Sequence, residues 1–518
     1  MSTGAQVVVQ RLLAEGVEVC FANPGTSEMH FVAALDAVGE SGRSMRPVLC
    51  LFEGVATGAA DGYARIAGTP AATLLHLGPG MANGLANLHN ARRAHSPVVN
   101  IVGDHATYHK SLDAPLESDI DALGGWLCGS VHRPAGAADL DAVVRDAVRS
   151  AAGPPGQVAT VILPADFSWG TTAQRALPQA RTGSAPAGDI DVTGAAEMLR
   201  SHGDKALFLL GGASTTPAGL GAVARICAAT GARALIETFP ARLARGRGVP
   251  AIERLAYLAE QATQQLSGIT QLILVGASAP VSFFAYPGKP SELVPEGAQV
   301  HTLAVTDLHA LDDEVGGALP PTTDPGPADL PKGPLTPQNW AMVVGALLPE
   351  NAIISDEANT SGVFLPTATA TAPPHDVLTL TGGAIGQGLP VAVGAAVAAP
   401  HRPVIALQSD GSAAYTISAL WTMAREHLDI TVVILNNHAY AILQMELQRV
   451  GTAATGDRSR SLLDLSHPDI DFAAIAQGFG VPATRAFTAE ELAEQFRAAV
   501  SEPGPHLIDA AVPAWSVG

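Results

Sequence analysis

Two polar side chains in the last third of the sequence each follow a short apolar stretch. Asp410 comes after Val404–Leu407, and Asn437 comes after Thr431–Leu435, 27 positions beyond Asp410. A strand, a helix and a returning parallel strand use about this many residues, so both side chains are predicted at the carboxyl ends of neighbouring strands. Carboxylate and amide oxygens are ligands that suit a hard cation such as Mg²⁺.

The residues after Asp410 could bind a phosphate group. Gly411 and Ser412 precede a predicted helix around Ala413–Glu426, and the free N–H groups at a helix N-terminus attract phosphate. The two motifs together predict a clamp for a metal ion and a diphosphate. On the alternative interpretation, Asp410 is an ordinary helix cap and Asn437 belongs to an ordinary turn.

This pair of motifs resembles the fingerprint of the thiamine diphosphate decarboxylase and carboligase superfamily, in which G-D-G is followed at a similar distance by N-N. Ser409 stands where the first glycine usually lies, a change of one small residue for another. The resemblance implies that thiamine diphosphate and Mg²⁺ are the cofactors, with Asp410, Asn437 and the backbone carbonyl of Ala439 as metal ligands. The implied diphosphate contacts are Asn359, Thr360, Gly411, Ser412, Tyr440, Ala441 and Ile442.

A glycine-rich segment at 381–386, Thr-Gly-Gly-Ala-Ile-Gly, resembles the turn that meets the aminopyrimidine ring of the cofactor in that superfamily. The resemblance implies that the carbonyl of Gly383 accepts a hydrogen bond from the amino group of the ring. It also implies that Ile385 lies beneath the cofactor and keeps it bent. An apolar residue among glycines is, alternatively, an ordinary close-packing pattern.

Glu53 is a candidate catalytic acid. It follows the strand candidate Val48–Phe52 and precedes the predicted helix Gly54–Arg65, the setting in which the superfamily carries its catalytic glutamate. The resemblance implies that Glu53 protonates the pyrimidine ring, which turns the amino group of the ring into an internal base. The alternative is a carboxylate that only stabilises a helix N-terminus.

Within the superfamily, the first third of the chain resembles benzoylformate decarboxylase most closely, through the segment 21–26 and through His76. The resemblance implies that Thr26 holds the substrate carboxylate and that His76 moves protons to and from the substrate. A histidine at a strand end is more often structural. The turn placed at the cofactor consists of Asn23, Pro24 and Gly25.

The middle of the chain departs from that decarboxylase, which has a second proton-transferring histidine there. This chain reads Ser-Phe-Phe-Ala-Tyr at 282–286, so the same substrate does not follow from the resemblance. His105 and Gln444 are candidates for lining the substrate pocket instead.

Acetolactate synthases are a second branch that the chain resembles, through Leu-Gly-Pro-Gly at 77–80. They usually carry FAD in a longer middle domain. Here the turn Leu-Leu-Gly-Gly at 209–212 is not followed by G-x-G-x-x-G, the dinucleotide-binding pattern. FAD is therefore not predicted.

The resemblance implies decarboxylation of a small 2-oxo acid through a covalent adduct on the thiazolium ring of the cofactor. One alternative is acetolactate synthase-like joining of two 2-oxo acids. Another, of a different class, is a regulatory subunit that binds the cofactor without catalysis. The presence of Glu53, Asp410 and Asn437 together argues against a regulatory subunit.

These residues need a scaffold of parallel sheets. Apolar stretches alternate with helical patterns, which predicts three consecutive α/β domains, each a mostly parallel sheet flanked by helices. We predict a pyrimidine-binding domain at 1–178, a middle domain at 190–318 and a diphosphate-binding domain at 338–518, separated by linkers at 178–189 and 317–337. The strand candidates are Val17–Ala22, Val48–Phe52, Ala72–His76, Val98–Val102, Val158–Leu163, Ala206–Leu210, Ala234–Glu237, Gln271–Val275, Gln299–Leu303, Ala352–Ser355, Val404–Leu407, Thr431–Leu435 and His506–Ala510.

Composition narrows the partners and the compartment. The formal charge of −19 disfavours nucleic acid, and the longest apolar run, 389–400, is too short to cross a membrane. Four dispersed cysteines and the lack of a signal-peptide pattern predict a soluble, cytoplasmic protein. Gly54, Gly58 and Gly62 form a stripe on one helix. The resemblance implies that this helix packs against a second subunit, giving a homodimer or homotetramer with shared active sites.

Overall fold

Three β-sheets with helices on their faces follow one another along the chain in this computed structural model. The larger sheets have six, four and seven strands, and most of their strands run parallel, which confirms the predicted fold class. The predicted domain boundaries stay a prediction, since parts of both predicted linkers lie outside the described residues. The structure describes residues 2–36, 42–127, 129–172, 188–285, 289–319, 329–449 and 456–514.

The first domain contains the six-stranded sheet. Its strands are β1 (Ser2–Thr3), β2 (Val19–Asn23), β3 (Arg46–Leu49), β4 (Ala71–Leu75), β5 (Val98–Asp104), β6 (Ser130–His132), β7 (Val158–Pro164) and β8 (Thr171–Thr172). Its helices are α1 (Gly4–Ala14), α2 (Met29–Ala34), α3 (Glu53–Ala67), α4 (Leu77–Arg93), α5 (Ile120–Trp126), α6 (Leu140–Ala152) and α7 (Ala165–Trp169). The sheet order is β3-β2-β4-β5-β7-β6, and β1 pairs separately with β8.

The middle domain is smaller. Its helices are α8 (Val192–His202), α9 (Pro217–Thr230), α10 (Ala259–Gln265) and α11 (Leu308–Val315), and its strands are β9 (Ala206–Leu210), β10 (Arg233–Ile236), β11 (Leu243–Arg245), β12 (Gln271–Val275) and β13 (Gln299–Thr302). Four of these strands form a parallel sheet in the order β10-β9-β12-β13. The remaining strand, β11, pairs antiparallel with the sheet of the third domain, so the two domains share a sheet edge.

The third domain contains the seven-stranded sheet. Its strands are β14 (Ile353–Glu357), β15 (His375–Thr379), β16 (Val404–Ser409), β17 (Ile430–Asn436), β18 (Ala483–Ala486) and β19 (His506–Ala511). Its helices are α12 (Pro337–Leu347), α13 (Leu365–Ala368), α14 (Gly388–Ala398), α15 (Asp410–Thr416), α16 (Ala419–Arg425), α17 (Ala441–Arg449), α18 (Asp457–Ser461), α19 (Phe472–Gly478) and α20 (Ala489–Ala499). With β11 included, the order is β11-β15-β14-β16-β17-β19-β18. The central strands β16 and β17 are buried along their whole length, as their near-continuous apolar sequences require.

Every predicted strand is present, with ends displaced by a few residues at most. Two local predictions were wrong. The strand expected to reach Phe52 ends at Leu49, so three residues separate it from Glu53. The helix expected over 413–426 is broken between α15 and α16. The strands β6, β11, β15 and β18 were missed because they are short or carry polar and charged residues that interrupt the apolar pattern.

The glycine stripe of α3 packs within the chain. A Cβ on Gly58 would lie 2.5 Å from Cβ of Pro390, and a Cβ on Gly62 would lie 2.2 Å from the carbonyl oxygen of Val391. Both contacts belong to α14, so the absence of side chains lets the two helices approach closely. The expectation that this stripe faces a second subunit is therefore wrong: α14 of the same chain covers it.

Two further sequence expectations bear on partners and compartment. No helix within the described ranges is long and apolar enough to cross a bilayer. Cys20, Cys50 and Cys227 are free thiols, and Cys128 lies outside the described residues.

Candidate active site

Asp410 and Asn437 lie side by side at the carboxyl ends of β16 and β17. Asp410 is 2% exposed. Its Oδ1 accepts a hydrogen bond from the N–H of Gly411 at 2.8 Å, and its Oδ2 accepts one from the N–H of Asn437 at 3.2 Å. Oδ1 of Asn437 accepts from the N–H of Ala439 at 3.0 Å. The three residues predicted to bind a metal are therefore adjacent.

A small cluster of amide and hydroxyl groups adjoins this edge. Nδ2 of Asn359 donates to Oγ of Ser409 at 2.6 Å and to Oγ of Ser412 at 3.0 Å. Asn359 has a left-handed backbone, with φ of 49°, which asparagine tolerates better than most residues. Thr360 follows in the same short helical turn, Asn359–Gly362. The predicted phosphate contacts thus come from two loops that meet.

The charge around Asp410 favours a divalent cation. Burial raises the pKa of Asp410, and hydrogen bonds from backbone N–H groups together with the nearby His438 oppose the rise. A diphosphate beside an unpaired carboxylate is repelled unless a cation lies between them. The oxygens of Asp410, Asn437 and Ala439 are hard donors, and this donor set fits Mg²⁺.

The three predicted protein ligands, Asp410, Asn437 and Ala439, would not fill an octahedral shell by themselves. Within the described ranges, no group of three or more His, Cys, Asp or Glu side chains is arranged to hold an ion. A Mg²⁺ ion usually completes its octahedral shell with phosphate oxygens and water. A metal at Asp410 therefore fits best together with a bound diphosphate.

Gly411 and the residues after Asn437 border the same space. A Cβ on Gly411 would lie 2.5 Å from Cε1 of Tyr440, so the tyrosine ring packs against the bare glycine. Ala441 begins α17 and Ile442 follows it. The predicted contacts Tyr440, Ala441 and Ile442 are thus close to Asp410 through Gly411.

The glycine turn at 381–386 is held by α4 of the first domain. Gly383 has φ of 76°, a left-handed conformation that glycine adopts without steric strain. Nδ2 of Asn90 donates to the carbonyl of Ala384 at 2.8 Å, and Oδ1 of Asn90 accepts from the N–H of Ala384 at 3.2 Å. Ile385, the next residue, is half-buried. The turn therefore has a fixed shape.

Glu357 fixes the other end of the turn and was missed in the sequence. Its buried carboxylate accepts from the N–H groups of Gly386 at 2.7 Å and Gly388 at 2.6 Å, and from Nε2 of Gln408 at 2.6 Å. Burial raises the pKa of Glu357, and these donors oppose the rise. In the sequence, the clue to this role was that Glu357 ends β14 two residues before Asn359.

Glu53 is the first residue of α3 and is buried, with 6% exposed. Nδ2 of Asn83, on α4, donates to Oε2 of Glu53 at 3.0 Å. A Cβ on Gly80 would lie 3.1 Å from Oε1 of Glu53 and 3.2 Å from Cβ of His76. Both residues that are predicted to handle protons therefore lie close to Gly80.

His76 is held by an acid that the sequence analysis did not single out. Nδ1 of His76 lies 2.8 Å from Oε2 of Glu28, and the same oxygen accepts from the N–H of Gly25 at 2.8 Å. Glu28 is buried. The clue in the sequence was its position just after the turn Asn23, Pro24 and Gly25.

Thr26 is the hydroxyl residue that was predicted to hold the substrate carboxylate. Thr26 is exposed at the start of the short helical turn Thr26–Glu28. Oγ of its neighbour Ser27 lies 3.5 Å from Nδ1 of His76. Ser27 is thus the hydroxyl on the histidine side of the turn.

Of the two candidate pocket residues, Gln444 adjoins the predicted diphosphate contacts, since its N–H donates to the carbonyl of Tyr440 at 3.2 Å. His105 follows β5, its Nε2 is buried without a hydrogen-bond partner in the described part of the chain, and its ring is 5.4 Å from that of His109. Gln444 is exposed on α17, and its Nε2 lies 3.5 Å from the carbonyl of Leu463. Tyr286 lies outside the described residues.

Helix α4 of the first domain also contacts the third domain. Nδ2 of Asn87 donates to the carbonyl of Gly54 at 2.7 Å and to that of Gly386 at 3.3 Å. Asn83, Asn87 and Asn90 therefore form an asparagine face that contacts the start of α3 and the glycine turn. No described contact joins Glu53 directly to Asp410 within one chain.

In the middle domain, β9 is followed by a glycine turn that is filled by other atoms of the protein. A Cβ on Gly211 would lie 2.5 Å from Oε1 of Glu237 and 2.7 Å from the carbonyl oxygen of Gly276. Burial raises the pKa of Glu237 to about 7, and a hydrogen bond from the N–H of Gly212 opposes the rise. The carboxyl group of Glu237 therefore occupies the glycine turn of its own domain.

Comparisons with known proteins agree with this geometry. The chain matches the thiamine pyrophosphate enzyme N-terminal TPP binding domain over residues 2–124 and the C-terminal TPP binding domain over residues 360–510. It is 60% identical to "Putative acetolactate synthase large subunit IlvX" of Mycobacterium tuberculosis, over 98% of this chain and 99% of that protein. It is 30% identical to benzoylformate decarboxylase of Pseudomonas aeruginosa, over 98% of each chain.

A solved structure is similar over the full length. The thiamine diphosphate-dependent 4-hydroxybenzoylformate decarboxylase of Rhodococcus jostii RHA1 superposes with a TM-score of 0.86 and 26% identity, covering 100% of both chains. The chain therefore belongs to the family of thiamine pyrophosphate enzymes. The predicted family is confirmed, and thiamine diphosphate is the cofactor for which its two terminal domains are built.

Proposed function

We propose that this enzyme decarboxylates a 2-oxo acid with thiamine diphosphate and Mg²⁺, as benzoylformate decarboxylase does. The observation that carries the proposal is that Gly80 adjoins both the carboxylate of Glu53 and Cβ of His76, which brings an acid and a histidine to one edge of the six-stranded sheet. A decarboxylase needs both, because one group activates the cofactor and another delivers a proton to the product.

Asp410, Asn437 and the carbonyl of Ala439 would hold Mg²⁺, and Gly411 with Ser412 and Asn359 would border the diphosphate. The glycine turn would receive the aminopyrimidine at the carbonyl of Gly383. Bound thiamine diphosphate supplies the carbon nucleophile and the electron sink that loss of carbon dioxide requires.

Two side chains of the first domain, Glu53 and His76, would transfer protons at different atoms. Asn83 occupies Oε2 of Glu53, which leaves Oε1 to carry a proton to a ring nitrogen. Glu28 holds Nδ1 of His76 and so favours the tautomer with hydrogen on Nδ1. Nε2 of His76 is then available to exchange a proton with the substrate.

The test combines purified protein, thiamine diphosphate, Mg²⁺ and a panel of 2-oxo acids, with carbon dioxide and organic products measured. Glu53→Gln should lower turnover by about 100- to 10,000-fold and leave cofactor affinity nearly unchanged in calorimetry. Glu18→Gln, an exchange at a partly exposed ion pair with Arg43, is the matched control and should keep turnover. Tight cofactor binding without turnover of any 2-oxo acid would refute the decarboxylase proposal.

We also propose that two chains share each site, because Glu53 and Asp410 have no described contact within one chain. Mixing Glu53→Gln subunits with Asp410→Asn subunits should restore activity, since each mixed dimer then contains one site with neither substitution. Failure of the mixture to recover any activity, with mixed dimers demonstrated by native mass spectrometry, would contradict shared sites.

Acetolactate synthase activity is the second candidate, favoured by the 60% identity to the Mycobacterium tuberculosis protein. It predicts that pyruvate is consumed and that a branched hydroxy-oxo acid accumulates instead of an aldehyde. Product identification by mass spectrometry separates the two reactions.

A further inference from the structure

Three consecutive peptide groups of the glycine turn are bonded by two neighbouring residues of α4. Nε2 of His89 lies 3.1 Å from the carbonyl oxygen of Gly382, and because a carbonyl can only accept, the imidazole donates. Oδ1 of Asn90 accepts from the N–H of Ala384 at 3.2 Å, and Nδ2 of Asn90 donates to the carbonyl of Ala384 at 2.8 Å. Each peptide group from 382 to 385 is therefore held to the helix.

The bond to the N–H of Ala384 decides the direction of the Gly383 carbonyl. Both groups belong to one planar trans peptide, in which the N–H and the C=O point in opposite directions. Since the N–H points to Asn90, the carbonyl of Gly383 points away from it. Within the covered ranges of the chain no hydrogen bond to this carbonyl is described, whereas the carbonyls of Gly382, Ala384 and Gly386 each accept one or more.

The turn needs such bonds because its own residues restrict it little. Gly382 and Gly383 have no Cβ, and glycine passes between backbone conformations at low steric cost. The lack of side chains also brings α4 close, since a Cβ on Gly382 would lie 2.4 Å from Oδ1 of Asn90 and 2.8 Å from Cδ2 of His89. The conformation of Gly383, with φ of 76°, is thus imposed by the helix.

Both side chains are themselves held in place. Asn90 is 0% exposed, and its Nδ2 also donates to Oδ1 of Asn87 at 3.1 Å. Its amide group therefore has a donor and an acceptor on fixed sides. The ring of His89 packs against the ring of Trp126 in α5, with 6.3 Å between the ring centres. The two side chains thus meet the turn in one orientation.

We infer that Asn90, with His89 beside it, is a positioning residue that aims the carbonyl of Gly383 at the amino group of the aminopyrimidine. The inference rests on one part of the proposed function, the placement of the aminopyrimidine at this carbonyl. A carbonyl that is oriented before binding loses little conformational entropy when the cofactor arrives. Both residues act through the backbone of the turn, and the protein should therefore prefer a cofactor that carries the amino group.

Two compounds test the inference by binding alone. In oxythiamine diphosphate an oxo group replaces the amino group, so this compound cannot donate to the carbonyl of Gly383. Calorimetric titration in Mg²⁺ should show that the wild type binds thiamine diphosphate about 3- to 10-fold more tightly than the oxo compound, as expected for one hydrogen bond. Asn90→Leu keeps nearly the same side-chain shape without the amide, and the preference should fall below about 2-fold.

Asn100→Leu is the matched control. Asn100 is as buried as Asn90, but it bonds to Thr73 and Thr160 inside the six-stranded sheet. This variant should lose stability in thermal unfolding and keep the preference of the wild type. A purely structural role of Asn90 would give the same result in Asn90→Leu, because weaker folding alone does not distinguish the two compounds.

His89 supplies a second test that does not require Asn90→Leu to fold. His89→Phe keeps a ring beside Trp126 and removes the donor, so the preference should shrink by about 2-fold. His89→Gln, whose amide nitrogen can donate to the same carbonyl, should restore it. A preference that is unchanged in Asn90→Leu, or in His89→Phe where Asn90→Leu does not fold, would overturn the inference.

The wild type separates this inference from the proposed function. Equal binding of the two compounds would overturn the role of Asn90 and leave decarboxylation intact. A clear preference for thiamine diphosphate without carbon dioxide from any 2-oxo acid would refute the decarboxylase proposal and leave the role of Asn90 standing.

Discussion

The middle and third domains each have a glycine turn at the end of a parallel strand, beside a carboxyl group whose pKa is raised by burial, but the two turns differ in what fills them. In the middle domain, Glu237 packs on Gly211 and accepts from the N–H of Gly212. In the third domain, Asp410 accepts from Gly411 and Asn437, and hydroxyl and amide groups surround it. One turn is closed by its own acid, and the other is arranged around a place for a ligand.

This difference shows that the fold provides the sheet edge, whereas the side chains at that edge determine whether it can bind a ligand. The carboxyl ends of parallel strands are the common ligand position in open α/β sheets. A longer acid folded back onto its own turn occupies that position, whereas a short aspartate leaves it open. The expectation that the middle domain carries no FAD stays a prediction, and the placement of Glu237 supplies a physical reason for it.

The largest expected effect is the loss of cofactor binding in Asp410→Asn. The amide cannot neutralise a cation as the carboxylate does, so thiamine diphosphate affinity in Mg²⁺ should fall on the order of 100-fold or more. Calorimetric titration measures it, and a chelator should produce a similar loss in the wild type. Glu237→Gln is the matched control and should bind the cofactor as the wild type does. Equal losses in both variants would remove the distinction between the turns.

Glu237→Gln should instead change how stability depends on pH. Burial raises the pKa of Glu237 from 4.5 to about 7, so its contribution to the free energy of unfolding is fully present below about pH 4.5. That contribution declines as pH rises and is lost once pH has passed about 7, a change on the order of 3 kcal/mol. Glutamine does not ionise, so the variant should lose less stability across this range.

Denaturant unfolding of both proteins at pH 4.5, 6 and 8 makes the comparison. Parallel pH dependences in the two proteins would show that Glu237 ionises normally in the folded chain. An exchange at an exposed acid, Glu494→Gln, serves as the control and should not alter the pH dependence.

The smallest expected effects come from replacing one glycine in each turn by alanine. In Gly211→Ala the new methyl group meets the backbone oxygen of Gly276 at 2.7 Å, so the protein should lose about 1–3 kcal/mol of stability with cofactor affinity kept. In Gly411→Ala it meets the ring of Tyr440 at 2.5 Å, a side chain that can move. That variant should keep its stability and bind the cofactor several-fold more weakly. Thermal unfolding and cofactor titration of both variants would reveal any reversal.

Much of the scaffold could be predicted from the sequence because parallel strands are buried on both faces and read as continuous apolar runs. β9 and β12 were predicted to the residue, since apolar residues fill all of β9 and all of β12 except Gln271 at its start. Asp410 and Asn437 were placed together for the same reason. Strand ends fix the positions of the residues that follow them, so a motif at a strand end can be located without long-range information.

Other parts of the site depend on contacts between distant segments, which local patterns do not encode. Glu28 and Glu357 look like ordinary acids in turns, and only the folded chain brings one to His76 and the other to Gly386. The rings of Phe239, Tyr257 and Phe283 come together from separate segments in the same way. β11 was missed because a strand of three residues that joins the sheet of another domain has no repeating pattern to recognise.

The asparagine face of α4 holds Glu53 and the glycine turn at a fixed separation. An α-helix rises 1.5 Å per residue, so Asn83 and Asn90 stand about 10 Å apart along a rod that does not stretch. The positions of Glu53 at one end and of the glycine turn at the other are therefore both fixed by the same rigid helix. A small tilt of α4 would therefore displace Glu53 and the glycine turn together.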